Sequence, residues 1–337
     1  MITVEYIWLD GSVDMPQLRS KTRVFSKKHT LSELPEWSFD GGSTGQGDLK
    51  DSDRKLKPVR LYKNPFSEGN YMVLCEVMNP DGTPHESNMR SLLAEQLRDG
   101  EEIVGAGSKH GHLGVLFGFE QEYTLTDPMM QPLVPEDIKQ GDFYCGVGAG
   151  NVIGRLVAEE HLENCHKAGI TLFGTNAEVM ISQWEFQTNP EDALKVSDDL
   201  WVARYILQKG SEKFNMRISY HPKIYPNLNG AGCHVNISTE KTRKNGGLKE
   251  IERIMGKLEE THLGHINVYG AGNDLRLSGK CETSSYDEFT WGFGDRGASV
   301  RIPSHVQTQG YGYFEDRRPA ATCDPYLVTA KLLETLA

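Results

Sequence analysis

The stretch FGFEQEYTL, residues 117–125, places two carboxylates, Glu120 and Glu122, two positions apart in an apolar, aromatic run. On a β-strand, side chains at positions i and i+2 point to the same face of the sheet. Two neighbouring carboxylates on a buried face repel each other and lose hydration, so something must neutralise them. Either this face is exposed to water, as an isolated Glu-x-Glu pair usually is, or the two glutamates hold a cation.

The composition is that of an ordinary globular protein, with 337 residues, 25% of them charged, and a net charge of −11. The acidic balance, with only a short basic run at KTRK (241–244), argues against nucleic acid or an anionic membrane as a partner. We find no apolar run near the ~18 residues that span a bilayer and no signal-peptide pattern at the start. Six cysteines without a CxxC pair indicate reduced thiols, so we expect a cytoplasmic protein.

The chain divides into two parts by its sequence pattern. Short β-branched and aromatic runs before residue 84 predict strands at 4–9, 56–62 and 71–77. Residues 37–53, rich in Gly, Ser and Asp, are predicted to form an irregular loop that is either functional or disordered. A turn signal and a change to a helical pattern place the expected domain boundary near residues 84–90.

The second part alternates long helices with strands. Amphipathic spacing predicts helices at 86–100, 150–170 and 191–210, the second ending at Gly169. Alternating polar and apolar residues predict strands within 175–187, 233–238 and 298–303.

Three further glutamates and one histidine stand in apolar or aromatic settings on or beside these predicted strands: Glu178, Glu185, Glu315 and His234. With Glu120 and Glu122 they make five carboxylates and one imidazole, a set that suits two or three hard divalent cations, Mg²⁺ or Mn²⁺. Zinc is disfavoured because no cysteine lies at ligand spacing. Taken singly, each residue has a plainer role, on a hydrated strand face or as a satisfied core histidine.

Five arginines fall within a short C-terminal stretch: Arg276, Arg296, Arg301, Arg317 and Arg318. Guanidinium groups bind carboxylate and phosphate oxygens in pairs, although surface ion pairs of little energetic value are the plainer explanation. In FEDRRP, Glu315 and Arg317 share a face if the segment is extended, which suits a metal–polyphosphate site. We find no P-loop, dinucleotide or serine-nucleophile motif, and Cys281 has no evident histidine partner.

These motifs resemble those of the glutamine synthetases, in particular the eukaryotic-type group also found in some bacteria. The resemblance covers nearly the whole chain in order, through LPEWSFDGGSTGQ (34–46), FGFEQEYTL, YCGVGA (144–149), TNAEVMISQWEFQ (175–187), LNGAGCHVNIS (228–238), LSGKCETS (277–284), DRGASVRIP (295–303) and GYFEDRRPAATCDPY (312–326). It implies an α+β fold. A small β-grasp-like N-terminal domain, residues 1–84, would precede a catalytic domain, residues 89–337, with a curved antiparallel sheet and flanking helices.

The resemblance also implies a reaction and its cofactors. ATP, L-glutamate and ammonium would give glutamine, ADP and phosphate by way of γ-glutamyl phosphate, with Mg²⁺ or Mn²⁺ as cofactor. One metal would be held by Glu122, Glu178 and Glu185, and the other, which holds the ATP phosphates, by Glu120, His234 and Glu315.

The implied roles of the remaining residues concern the three substrates. The transferring phosphoryl group and the nucleotide would meet Arg296, Arg301, Asn236, Ser238, Arg243 and Tyr313. Glutamate would bind Arg276 and Arg317, near Asn229 and Gly230. Asp40 would bind ammonium and take its proton, and Glu282 would lie on a flap that closes over the intermediate. Since family members form double rings with shared active sites, we expect a homo-oligomer, decamer-like, in which Asp40 serves the adjacent subunit.

Four positions depart from the family pattern: Gly42 for a serine, Cys281 for a histidine, and Leu116 and Leu228 for tryptophans. The changes in the ammonia-side loop and the flap, at Gly42 and Cys281, motivate a competing hypothesis, a γ-glutamylamide ligase that uses methylamine, a polyamine or another amine. Two further hypotheses are a catalytically silent relative that keeps the oligomer and a metal-dependent phosphohydrolase.

Overall fold

The structure of the protein, a computed structural model, describes residues 1–104, 114–131, 133, 141 and 143–337. The strands of the described residues form two sheets, one of five strands and one of eight. None of the helices in this described part is both long and apolar enough to span a membrane.

The five-stranded sheet has the strand order β2-β1-β5-β4-β3, in which β1 and β5 are parallel. Its strands are β1 Ile2–Leu9, β2 Leu18–Phe25, β3 Trp37–Asp40, β4 Asp53–Lys63 and β5 Tyr71–Met78. A small core that includes Tyr6, Trp8, Leu56 and Val73 packs on one face. The predicted strands at the positions of β1, β4 and β5 are confirmed.

Two features of this sheet differ from the expectation. The predicted irregular loop is wrong for residues 37–44, which form β3 and a 3₁₀ helix, Gly41–Thr44, because Phe39 is buried in the small core and β3 pairs with β4. Strand β2 was not predicted, since its charged residues Arg19, Lys21 and Arg23 mask the strand pattern. It is an edge strand, where charge is common.

The eight-stranded sheet has the order β11-β12-β13-β10-β6-β8-β7, with β9 paired to β6. Its strands are β6 Leu116–Thr126, β7 Leu172–Ala177, β8 Gln183–Thr188, β9 Arg217–Ser219, β10 Cys233–Ser238, β11 Trp291–Phe293, β12 Val300–Ile302 and β13 Phe314–Asp316. In β6 the side chains of Phe117, Phe119 and Tyr123 are fully buried in the main core. The alternate positions, including Glu120 and Glu122, therefore point to the opposite face.

Eight helices accompany the sheets in the described chain: α1 Met89–Val104, α2 Arg155–Ala168, α3 Ala193–Ser211, α4 Gly247–Glu260, α5 His262–Ile266, α6 Asn273–Arg276, α7 Ser304–Gln309 and α8 Pro325–Leu336. The three predicted helices are confirmed as α1, α2 and α3. Helix α2 ends as expected at Gly169, whose φ of 91° suits glycine. Asp192 caps α3 by accepting from the Lys195 N–H at 3.0 Å.

Buried polar contacts join the five-stranded sheet to α1 and α3. Glu5 of β1 accepts from Lys209 Nζ at 2.8 and 2.6 Å and from the Tyr205 hydroxyl. Arg90 of α1 donates to Glu76 of β5 at 2.8 Å and also pairs with a carboxylate of α3. These contacts fix the position of the first sheet on the helices that back the second.

Candidate active site

The register of the eight-stranded sheet brings the predicted carboxylates together on one face. Glu120 pairs with His234 across β6 and β10, and Glu122 pairs with Glu185 across β6 and β8. Glu315 of β13 pairs with residues of β10 and β12 on either side. Strands that are far apart in sequence thus contribute adjacent polar side chains to a single surface.

Glu120, His234 and Glu315 form the first cluster, in which one ligand atom from each residue lies within 4.8 Å of the others. His234 Nδ1 is 3.7 Å from Glu120 Oε2 and 3.3 Å from Glu315 Oε1. Burial and the charge of Arg317 act to lower the pKa of His234, but its hydrogen bonds to Glu120 and Glu315 outweigh them and raise it. Two carboxylates and an imidazole in this arrangement suit a divalent cation.

Glu122, Glu178 and Glu185 form the second cluster. Burial and the charge of Glu122 raise the pKa of Glu178 to about 8, and burial with the charges of the nearby glutamates raises that of Glu185 well above its usual range. Glu185 is buried, and among the described residues no lysine or arginine forms an ion pair with Glu178 or Glu185. Carboxylates that lack a protein cation in this way fit a bound metal ion.

Four of the five C-terminal arginines line the cavity described below, and the fifth, Arg318, pairs with Asp316 instead. Glu315 accepts from Arg317 Nη1 at 2.8 Å and also from Arg301 Nε. Burial opposes ionisation of Glu315, but the hydrogen bond with His234 and the charges of the two arginines hold its pKa well below the usual range. Glu315 is therefore a permanent anion, unlike Glu178 and Glu185.

Arg276 is buried beside the first cluster. Its Nη2 lies 2.8 Å from the Arg317 carbonyl oxygen and 3.0 Å from His234 Nε2. Burial lowers the pKa of Arg276 to about 10, which still leaves the group charged at neutral pH. The Arg276 guanidinium group thus contacts the histidine of the first cluster and also lines the cavity next to that cluster.

A cavity of about 600 Å³ lies over both clusters. The predicted site residues that line it are Glu120, Glu122, Glu178, Glu185, Asn229, Gly230, His234, Arg276, Glu282, Arg296, Arg301 and Arg317. Its lining also includes residues that the sequence patterns did not single out: Tyr144, Asn176, Gln183, Gln187 and Thr283. Asn176 and Gln187 stand two positions from Glu178 and Glu185, so the same-face spacing of strands is the signal that could have identified them.

Glu282 lies in a strained turn at the cavity wall. Cys281 and Glu282 have φ values of 54° and 59°, a conformation that side-chain-bearing residues rarely adopt. Glu282 Oε2 accepts from Asn229 Nδ2 at 3.0 Å, and its carbonyl oxygen is 3.5 Å from Arg317 Nη2. The predicted flap residue therefore contacts two predicted glutamate-binding residues.

Asp40 is not among the described residues that line the cavity. It lies at the end of β3, fully exposed, and accepts from Ser43 Oγ at 2.5 Å and from the Gly42 N–H at 3.0 Å. The Ser43 hydrogen bond, aided by backbone donors, lowers the pKa of Asp40. A side chain at Gly42 would place its Cβ 3.1 Å from Asp40 Oδ1, so the departure at this position leaves the carboxylate room.

Of the predicted nucleotide contacts, Arg296 and Arg301 line the cavity, whereas Asn236, Ser238, Arg243 and Tyr313 do not. Asn236 Nδ2 donates to Glu120 Oε1 at 2.7 Å. Arg243 Nη1 donates to Ser238 Oγ at 2.9 Å, and Tyr313 packs on the His305 ring at 5.7 Å between centroids. Of the two positions where tryptophan was expected, Leu116 begins β6, and the Leu228 carbonyl accepts from Lys223 Nζ at 2.6 Å.

Comparison with known proteins shows which protein family the chain matches. Residues 1–80 match a family described as glutamine synthetase, beta-Grasp domain, and residues 101–260 match one described as glutamine synthetase, catalytic domain. Curated proteins named glutamine synthetase from Debaryomyces hansenii and Saccharomyces cerevisiae are each 46% identical over 342 residues, which cover 99% of this chain and 89% of theirs. One from Neurospora crassa is 46% identical and covers 99% and 91%.

A solved structure gives an independent view of the fold. A cryo-EM structure of Plasmodium falciparum glutamine synthetase superposes with a TM-score of 0.78 at 19% identity, covering 99% of this chain and 71% of that one. The β-grasp domain, the catalytic sheet and the carboxylate-lined cavity together define an ATP- and metal-dependent ligase. The chain belongs to the glutamine synthetase family. The expected α+β fold is confirmed.

Proposed function

We propose that the cavity over the two carboxylate clusters is the active site, in which this chain ligates ammonia to the γ-carboxylate of L-glutamate at the expense of ATP. The observation that carries the proposal is that five of the six residues of the two clusters line one cavity together with four arginines, while Glu315 lies behind this lining in contact with two of those arginines. The name shared by the curated relatives favours ammonia as the nucleophile and gives no support to the amine-ligase hypothesis.

The two clusters would hold divalent cations, Mg²⁺ or Mn²⁺. Glu122, Glu178 and Glu185 would ligate one, and Glu120, His234 and Glu315 the other. When bound, such cations offset the negative charge that builds up as phosphate and carboxylate approach each other. Glu178 is half-buried and Glu185 is buried, and neither forms an ion pair with a lysine or arginine of the described residues. This supports the assignment, since their ionised forms need a cation nearby.

The arginines would bind the anionic substrates. Arg301, which pairs with Glu315, and Arg296, whose charge acts on Tyr144, both line the cavity, where they would bind the transferring phosphoryl group. Arg276 and Arg317, beside Asn229 and Gly230, would orient glutamate. A carboxylate is a poor electrophile, so these positive groups would lower the barrier to forming γ-glutamyl phosphate by stabilising the charge of the transition state.

Ammonium must lose a proton before it attacks the acyl phosphate, and Asp40 would accept that proton. Because Asp40 is not in the lining of its own chain's cavity, it would act in the site of an adjacent subunit. Such sharing requires a homo-oligomer whose sites lie between the domain of residues 1–84 and the domain of residues 89–337 of its neighbour, and the family resemblance suggests that this oligomer is a double ring. Glu282 would close over the intermediate and keep water out.

A panel of amines tests the proposal. Purified protein with glutamate, ATP and Mg²⁺ or Mn²⁺ is expected to release phosphate and form glutamine with ammonium, and to react slowly or not at all with methylamine or a polyamine. Turnover with an alkylamine but not with ammonium would contradict ammonia as the nucleophile and favour the γ-glutamylamide ligase. Phosphate release without glutamate would favour a phosphohydrolase, and the absence of any turnover despite tight ATP–metal binding would favour a silent relative.

A further inference from the structure

Two side-chain carboxamides donate hydrogen bonds to Glu178 and Glu185, the two carboxylates of the second cluster that form no ion pair within the described part of the chain. Asn176 Nδ2 donates to Glu178 Oε1 at 2.9 Å, and Gln187 Nε2 donates to Glu185 Oε1 at 2.5 Å. Each amide stands two positions from its glutamate, on or beside strands β7 and β8. The pairing is therefore built into the local sequence as well as into the fold.

The same arrangement recurs in the first cluster, where Asn236 donates to Glu120. Glu315 differs, because its partners are the guanidinium groups of Arg301 and Arg317. A carboxamide donates hydrogen bonds but carries no net charge, whereas a lysine or arginine also neutralises the carboxylate. An amide donor thus fixes the direction of a carboxylate and leaves its negative charge available to a cation.

The neighbouring strand leaves space for the Gln187 amide beside Glu185. Gln187 pairs with Gly174 across β7 and β8, and with Glu120 across β8 and β6. A Cβ at position 174 would lie 3.1 Å from Gln187 Oε1, closer than most real contacts. The absence of a side chain at Gly174 therefore makes room for the amide beside Glu185.

We propose that Asn176 and Gln187 are positioning residues of the metal site, neutral donors that orient Glu178 and Glu185 toward a cation without cancelling their charge. This inference rests on the proposed role of the two glutamates as metal ligands. It adds to that role a reason why amides, and not cations, contact these carboxylates.

Two substitutions of Gln187 test the two parts of this proposal, that the amide orients Glu185 and that the donor must be neutral. The readout is Mn²⁺ binding to the purified 337-residue protein without ATP or glutamate, measured from the electron paramagnetic resonance signal of free Mn²⁺. Gln187→Leu is expected to weaken Mn²⁺ binding about tenfold or more, as loss of a hydrogen bond to a metal ligand does. Gln187→Lys keeps a donor but adds a charge, so it is expected to weaken Mn²⁺ binding at least as much.

Thermal unfolding in EDTA supplies a readout that distinguishes the variants. Gln187→Lys is expected to unfold at a higher temperature than wild type, because its charge relieves the repulsion among the glutamates, while Gln187→Leu is not. Gln307→Leu and Gln307→Lys, at an exposed position of α7, are the matched controls and should change Mn²⁺ affinity less than twofold. Gly174→Ala keeps the Gln187 donor but displaces its amide, so this variant should also weaken Mn²⁺ binding. It tests the same idea if Gln187→Leu does not fold.

The outcomes separate this inference from the proposed function. If wild type binds Mn²⁺ and both Gln187→Leu and Gly174→Ala bind it within twofold of wild type, the positioning role is refuted while the metal site stands. Wild-type affinity in Gln187→Lys would refute the requirement for a neutral donor. If wild type itself binds no Mn²⁺, the proposed metal site fails, and this inference fails with it.

Discussion

Glu122 and Glu185 are register partners on the antiparallel strands β6 and β8, so two buried carboxylates lie at adjacent positions on the same face of the sheet. Like charges directly opposite each other destabilise a strand pair. Glu178 adds a third carboxylate from the end of β7. The protein therefore keeps together carboxylates whose ionised forms repel one another, an arrangement that is unfavourable to folding and typical of sites built for a ligand.

The first prediction concerns pH and metal. The folded-state pKa of Glu178 is about 8, above the ordinary glutamate value of 4.5, so the folded state binds more protons than the unfolded state between these values. Stability of the metal-free protein should therefore fall as pH rises from about 5 to about 8. Saturating Mn²⁺ or Mg²⁺ should raise the unfolding temperature at pH 8 by about 5 °C.

Thermal unfolding from pH 5 to 9, in EDTA and in MnCl₂, measures both effects. Mn²⁺ should stabilise Glu178→Gln/Glu185→Gln much less than wild type, and the slope of stability with pH should be smaller in that variant. Equal unfolding temperatures in EDTA at pH 5 and pH 8 would contradict a raised pKa of Glu178 in the folded state.

The second prediction concerns the buried charge of Glu315. Arg317→Ala removes one of its two guanidinium partners and should destabilise the fold by about 2 kcal/mol, less than the loss of a sole partner because Arg301 remains. Arg253→Ala breaks an exposed ion pair with Glu250 and should change stability by less than about 0.5 kcal/mol. Urea denaturation of both variants gives the comparison. Equal effects would mean that Glu315 does not depend on Arg317.

The third prediction concerns the flap. Glu282→Ala should release more phosphate than glutamine, because water then reaches the acyl phosphate, whereas wild type should give the two products in equal amounts. Glu288→Ala, at a nearby exposed position, serves as the control. Phosphate and glutamine are assayed in the same reaction. A ratio of one in the Glu282 variant would remove the proposed role of this residue.

The fourth prediction concerns sharing of sites between subunits. Asp40→Asn and Arg301→Gln should each abolish most activity alone. Oligomers that contain both variants, co-expressed with different tags and purified through both, should regain roughly a quarter of wild-type activity, since one site in four combines two intact halves. Activity no greater than that of the single variants would place Asp40 and Arg301 in the same chain's site.

Much of the site follows from local sequence rules. The i, i+2 spacing of Glu120 and Glu122 predicts a shared face, and β6 has that alternation. Glu315 and Arg317 likewise contact each other as their spacing predicts. These inferences succeed because side-chain direction along an extended strand depends only on backbone geometry.

Other features depend on contacts that no local pattern contains. The position of β6 between β8 and β10 brings Glu185 beside Glu122, and it is set by the packing of the whole core. The orienting role of Gln187 depends on that register and on the space above Gly174. Strand β3 was hidden in a stretch rich in Gly and Ser, where pairing with β4 and burial of Phe39 override weak strand propensity.

The central claim, that the γ-carboxylate of glutamate attacks ATP in this cavity before ammonia is added, is tested most directly with isotopes. Glutamate labelled with ¹⁸O in its γ-carboxylate is turned over with ATP, a divalent cation and ¹⁵N-ammonium, and the products are analysed by mass spectrometry. We expect one ¹⁸O atom in each phosphate released and one ¹⁵N in each glutamine amide. Phosphate without ¹⁸O, formed alongside labelled glutamine, would contradict the acyl-phosphate route.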